Sequence, residues 1–240
     1  MTSTANSIAN NIAALTASIR GFERRYGRAE GSVGLLAVSK RHGAESIRAA
    51  YAAGVRDFGE SYLQEGEGKI GALGELDICW HFVGPLQSNK TRGVAEQFDW
   101  VHSVDREKTA RRLSEQRPSR LAPLNVCVQV RMSDEAGKSG VAPDALPALC
   151  DTIAALPGLK LRGLMAIPAV SEQMAEQRSV FQTLAGHFTR LQARFPDMDT
   201  LSMGMSNDYE AAIAEGATLI RVGTAIFGPR LASSPADVGG

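Results

Sequence analysis

The chain has 240 residues, 44% of them hydrophobic and 22% charged, enough to bury a full core as two small domains or one large α/β barrel. Its 26 basic residues balance 26 acidic ones and no segment is a basic block, which argues against nucleic acid or an anionic membrane surface as a partner. Cys79, Cys127 and Cys150 sit in apolar stretches without a CxxC pair, which suits reduced thiols of a cytoplasmic protein rather than disulfides or a metal site, and neither a membrane-spanning run nor a secretory leader is expected.

Ile8, Ile12, Leu15, Ile19 and Phe22 recur at spacings of four and three, which predicts an amphipathic helix packed on the body of the protein. From Val33 onward, short apolar runs alternate with helical stretches. The predicted strands are 33–39, 55–59, 80–84, 99–104, 124–131, 161–167, 200–205 and 218–223. Helical patterns fall between them at 44–53, 62–73, 86–97, 107–116, 144–156, 172–195 and 207–215. Such alternation builds βαβ units and a parallel sheet, and eight strands in a chain this long predict a closed (β/α)8 TIM barrel preceded by an extra helix. An open doubly wound sheet is the alternative, but no GxGxxG follows the first strand. The expected organisation is one domain, with the helix in residues 1–30, the barrel in 31–230 and a flexible tail in 231–240.

In such a barrel, function gathers at the rim made by the C-terminal ends of the strands. Val33 to Ser39 reads as a buried strand, and it delivers the amine of Lys40 to that rim. A lysine there is able to condense with an aldehyde once it has lost its proton, although most strand-end lysines pair with a carboxylate or reach solvent. Ser61, His81 and Met165 lie at other strand ends; for His81 a satisfied core histidine is the simpler reading. After strand seven, Ser206 precedes Asn207 and Glu210 in capping-box spacing. After strand eight, Gly223 and Thr224 precede a short helical turn. Phosphate is often held by these last two loops of a barrel, and Gly204 and Gly223 would let the backbone approach an anion beside the Ser206 and Thr224 hydroxyls. Arg221 shares a strand face with Gly223, and points either into the barrel mouth or to an internal salt bridge. Gly137-Lys138-Ser139 is no P-loop, because Met132 stands where its first glycine is required, and neither HExxH nor GxSxG occurs.

The segments LLAVSK (35–40), FGESYLQE (58–65), WHFVGPLQSNK (80–90), LRGLMAIP (161–168) and LSMGMSNDYEAAIAEGATLIRVGTAIFG (201–228) resemble the YggS-type pyridoxal phosphate homeostasis proteins over nearly the whole chain. The resemblance implies a barrel similar to that of alanine racemase (fold type III), binding pyridoxal 5′-phosphate. It makes Lys40 the Schiff-base lysine, assigns Ser206, Gly223 and Thr224 to the phosphate, and sets Arg221 against the pyridine nitrogen. Two positions depart from the family pattern: Ser61 replaces an asparagine, and His42 stands where a second lysine is common.

Three functions are open to such a chain: a cofactor-handling protein without robust turnover, a pyridoxal phosphate enzyme such as a racemase or decarboxylase, or an aldolase whose lysine attacks a sugar phosphate. A racemase needs proton donors on both faces of a planar carbanion, and only Lys40 stands out as one. An arginine at the pyridine nitrogen would also keep that nitrogen unprotonated and weaken the ring as an electron sink. The sequence therefore points to a cytoplasmic, monomeric carrier of pyridoxal phosphate whose protein partners would be apoenzymes that need it.

Overall fold

A computed structural model describes residues 3–133 and 139–229. The expected tail, 231–240, and the Gly137-Lys138 pair lie outside the described residues. Eight parallel strands close a barrel in chain order: β1 Gly34–Val38, β2 Asp57–Glu60, β3 Cys79–Phe82, β4 Trp100–Val104, β5 Leu124–Gln129, β6 Leu159–Met165, β7 Thr200–Ser202 and β8 Leu219–Val222. β1 closes on β8 with Ala37 opposite Val222, so the residues after these two strands emerge side by side at one rim. The open-sheet alternative is thereby excluded.

Before β1 runs α1, Ser3–Arg25; the barrel helices are α2 Ala44–Ala52, α3 Leu63–Ala72, α4 Thr91–Gln97, α5 Glu107–Gln116, α6 Leu146–Ala154, α7 Met174–Gln192, α8 Tyr209–Ala214 and α9 Thr224–Phe227. α1 lays its apolar stripe on α2, α8 and α9, burying Ile8, Ile12, Leu15 and Ile19 to 5% exposure or less. Polar contacts reinforce it. Glu23 is fully buried and takes hydrogen bonds from Arg20 at 2.6 Å, the Gly31 N–H at 3.0 Å and the Val33 N–H at 2.8 Å, pinning the entry to β1. Glu210 on α8 accepts from Arg25 and from the Tyr26 hydroxyl.

Two local expectations need correction. The run predicted as strand 200–205 stops at Ser202, because Gly204 turns the chain with φ 92°; a Cβ there would also lie 2.6 Å from that of Ala212. The capping box does not form. α8 begins at Tyr209, the Asp208 carboxylate accepts the Met205 N–H at 2.5 Å, and Glu210 is drawn off to α1.

Candidate functional site

The C-terminal rim holds a pocket of about 170 Å³, and its walls come from six strand ends. The β1 end contributes Val38, Lys40 and His42; β2 and β3 contribute Ser61 and Val83; and Ile167 follows β6. Met205 and Ser206 follow β7, while Arg221, Gly223 and Thr224 come from the end of β8 and the start of α9. Of the residues singled out in the sequence, Lys40, Ser61, Ser206, Arg221, Gly223 and Thr224 thus share one cavity.

His81 and Met165 do not line it. Met165, at 0% exposure, ends β6 and pairs with Gln129 and Ser202 in the sheet. His81, at 2% exposure, lies inside the barrel, stacked on Trp100 with ring planes 9° apart and bonded to the His102 ring at 2.9 Å. It is the satisfied core histidine. Val83, Ile167 and Met205 were given no role from the sequence because an apolar residue one or two places beyond a strand carries no chemical signature.

Lys40 is presented by a tight turn with its own support. The His42 N–H donates to the Ser39 carbonyl at 3.0 Å, and Arg41 takes φ 64°, the left-handed region that side chains rarely enter. Among the described residues it is the one non-glycine there, and strain of this kind persists only where the surroundings over-determine it. Here the Glu65 carboxylate accepts the Arg41 N–H. Behind the turn, the Lys69 ammonium, 7% exposed, donates to Glu65 and Glu60 at 2.7 Å each and to the Ser39 carbonyl at 2.8 Å. Glu60 is fully buried; its Oε1 also accepts the Ser39 hydroxyl at 2.6 Å, and its Oε2 has no hydrogen-bond partner among the described residues. Burial pushes the Glu60 carboxyl up, and Lys69 restrains it only in part. His42 stacks on Phe227 of α9 with centroids 4.9 Å apart, joining the β1 and β8 loops over the pocket.

Opposite Lys40 in chain order stands Arg221, 5% exposed. Its Nη1 donates to the Ser202 carbonyl at 2.6 Å and the Ser202 hydroxyl at 2.7 Å, and its Nη2 to the Ala166 carbonyl at 2.8 Å. Among the described residues it makes no salt bridge, which settles the two readings of this arginine in favour of the barrel mouth. Burial lowers the guanidinium to about 10, against the pull of Asp208 and Cys127, so it stays a cation at neutral pH. Gly223 is needed for close approach, since a Cβ would lie 2.9 Å from the Val38 carbonyl oxygen. Among the described residues no side chain caps α9, whose first N–H groups have no intrahelical acceptors and lie next to the Ser206 and Thr224 hydroxyls.

The donor set fits pyridoxal phosphate: an amine for an aldehyde, hydroxyls and backbone N–H groups for a phosphate, and a fixed cation for a ring nitrogen's lone pair. Among the described residues no helix is long and apolar enough to cross a membrane. The model of the alanine racemase N-terminal domain family matches residues 11–230. The pyridoxal phosphate homeostasis protein of Pseudomonas aeruginosa is 56% identical over 97% of this chain and 100% of its own length, and that of Escherichia coli is 50% identical over 94% and 97%. PipY of Synechococcus elongatus, solved with PLP bound, superposes with a TM-score of 0.81 at 40% identity, covering 92% of this chain and all of that one. Alanine racemase of Corynebacterium glutamicum shares the fold at 15% identity and a TM-score of 0.73, with 62% of its length covered. The chain belongs to the pyridoxal phosphate homeostasis proteins, within the alanine racemase N-terminal domain family.

Proposed function

We propose that this protein binds pyridoxal 5′-phosphate at the C-terminal rim of its barrel and serves the homeostasis of that cofactor in the cytoplasm, without robust turnover. The observation that carries the reading is the convergence of Lys40, Arg221, Ser206, Gly223 and Thr224 on one cavity. When bound, the cofactor supplies an aldehyde and an electron-poor ring. Lys40 provides the amine to which the aldehyde attaches, and the Ser39–His42 turn braced by Glu65 and Lys69 fixes where that amine points. Ser206, Thr224 and the backbone around Gly223 hold the phosphate by hydrogen bonds to an anion, which are roughly twice as strong as neutral ones. Ser61 offers a hydroxyl where its family carries an amide.

Arg221 has no proton to give near neutral pH, so the ring nitrogen it faces keeps its lone pair and the ring draws electrons weakly. That favours holding over catalysis. Besides Lys40 and Arg221, His42 is the one titratable side chain in the pocket wall among the described residues, and its ring is engaged with Phe227. The holo-protein incubated with amino acids in deuterated water should show no catalytic exchange at the α-carbon. Rapid exchange that is abolished in Lys40→Ala or His42→Phe would replace this reading with that of a racemase-like enzyme. The recipients of the cofactor are apoenzymes that depend on it, and the chain acts on them as a monomer; sedimentation with and without cofactor tests the latter.

A further inference from the structure

Branched apolar side chains usually fill a barrel core. Here a line of polar groups crosses it. Asp57, half-exposed at the start of β2, meets His81 Nε2 at 3.1 Å; His81 Nδ1 meets His102 Nε2 at 2.9 Å; His102 Nδ1 meets the Ser202 hydroxyl at 2.9 Å; and that hydroxyl accepts from Arg221 at 2.7 Å. His81, His102, Ser202 and Arg221 are all 5% exposed or less, so each contact needs one hydrogen in the right place.

The ends of the line fix its direction. A guanidinium only donates and a carboxylate only accepts. Burial, with His81 and Arg221 adding to it, keeps His102 uncharged. With neutral rings, one arrangement satisfies every contact: Ser202 O–H donates to His102 Nδ1, His102 Nε2–H to His81 Nδ1, and His81 Nε2–H to Asp57. The reverse would set a lone pair of His81 against the carboxylate. In the satisfied order every lone pair faces the buried cation and every N–H faces Asp57. Cys79, whose sulfur is 3.4 Å from His81 Nε2, is pushed up by burial and by Asp57 and Asp99, and stays a thiol.

We propose that His81, His102 and Ser202 are positioning residues for Arg221, a one-directional hydrogen-bond chain anchored on Asp57 that holds the guanidinium at the pocket wall. The consequence for cofactor affinity rests on the proposed function; the chain itself does not.

A different occupant makes the opposite demand. Asp57, Cys79 and His81 bring three ligand atoms within 4.8 Å of one another, close enough for a divalent transition metal. A metal would take the His81 Nε2 lone pair and force its proton to Nδ1. The tautomer of His81 therefore decides between the two. Long-range proton–nitrogen NMR on the ¹⁵N-labelled full chain without added cofactor, near neutral pH, should show His81 and His102 neutral and protonated at Nε2, before and after addition of zinc ion. An Nδ1–H tautomer or a doubly protonated ring at either position, or conversion of His81 by zinc, would overturn the proposal.

The second readout is pyridoxal phosphate affinity. His102→Leu should weaken it on the order of tenfold, the lower end of what losing an outer-shell partner costs a metal site, and His102→Asn, whose amide oxygen accepts from Ser202, should restore most of it. Wild-type affinity in His102→Leu would overturn the positioning role. Should His102→Leu fail to fold, the tautomers still decide. Should the wild-type chain bind no pyridoxal phosphate while both rings carry Nε2–H, the proposed function falls and the chain stands.

Discussion

Lys69→Met offers a sharp test of how the Lys40 turn is supported. Lys69 is the countercharge of a fully buried carboxylate, and its removal leaves Glu60 with the Ser39 hydroxyl, at 2.6 Å, as its remaining donor among the described residues. Breaking a buried pair from one side costs about 3–5 kcal/mol. For a chain of this size each kcal/mol is worth about 2–4 °C in Tm, so the variant should melt roughly 6–20 °C lower. The pH dependence follows from the direction of the Glu60 shift. Its folded-state carboxyl already lies above the ordinary 4.5, and loss of Lys69 moves it further up. An elevated carboxyl disfavours the fold wherever the unfolded chain would ionise it, so the deficit is largest at neutral and alkaline pH. As pH falls towards 4.5 both states become protonated and the deficit shrinks. Glu60→Gln in the Lys69→Met background should recover most of the loss, since an amide oxygen still accepts from Ser39. Denaturant melts of the three variants across pH give the readout. A deficit under about 1 kcal/mol, one that persists undiminished at acid pH, or no recovery in the double variant would refute the reasoning.

Other expectations follow from the same geometry. Burial alone would raise the Glu23 carboxyl, but Arg20 and the N–H groups of Gly31 and Val33 outweigh it and hold it below its ordinary 4.5. Glu23→Gln should therefore lose stability at neutral pH relative to wild type, and the gap should close as pH drops below that value, read by chemical denaturation. Ser206→Ala and Thr224→Ala should each raise the Kd for pyridoxal phosphate about ten- to hundredfold, one hydrogen bond to a charged group apiece, measured by equilibrium dialysis. Gly223→Ala should abolish binding while the chain stays folded, because its methyl would press on the Val38 carbonyl. By contrast Gly68→Ala, in the exposed interior of α3 with nothing within 4 Å of the new methyl, should stabilise by roughly 0.5–1 kcal/mol.

Strand order and the rim at which the candidate residues gather were legible because alternating apolar and helical patterns leave few topologies, and because Lys40, Arg221, Gly223 and Thr224 fall at strand ends. Strand ends were harder. Nothing local distinguishes Ser202 from the apolar residues after it until Gly204 turns the chain. The capping-box spacing at Asn207 and Glu210 was real in sequence and empty in space, since α1 offers Glu210 a better partner. Lys69 gave no sign of burial: in GEGKIG it reads as a solvated helix position, and only the packing of α3 against β2 brings it to Glu60. Nothing local in the sequence linked His81 to His102, and only closure of the barrel joins them to Ser202 and Arg221.

The central claim is that Lys40 holds pyridoxal phosphate. Borohydride reduction of the protein after loading with the cofactor, followed by peptide mass mapping, tests it directly. A phosphopyridoxyl mass on the peptide carrying Lys40, absent in Lys40→Ala, is the predicted result. An unmodified Lys40, or a modification confined to other lysines, would contradict it.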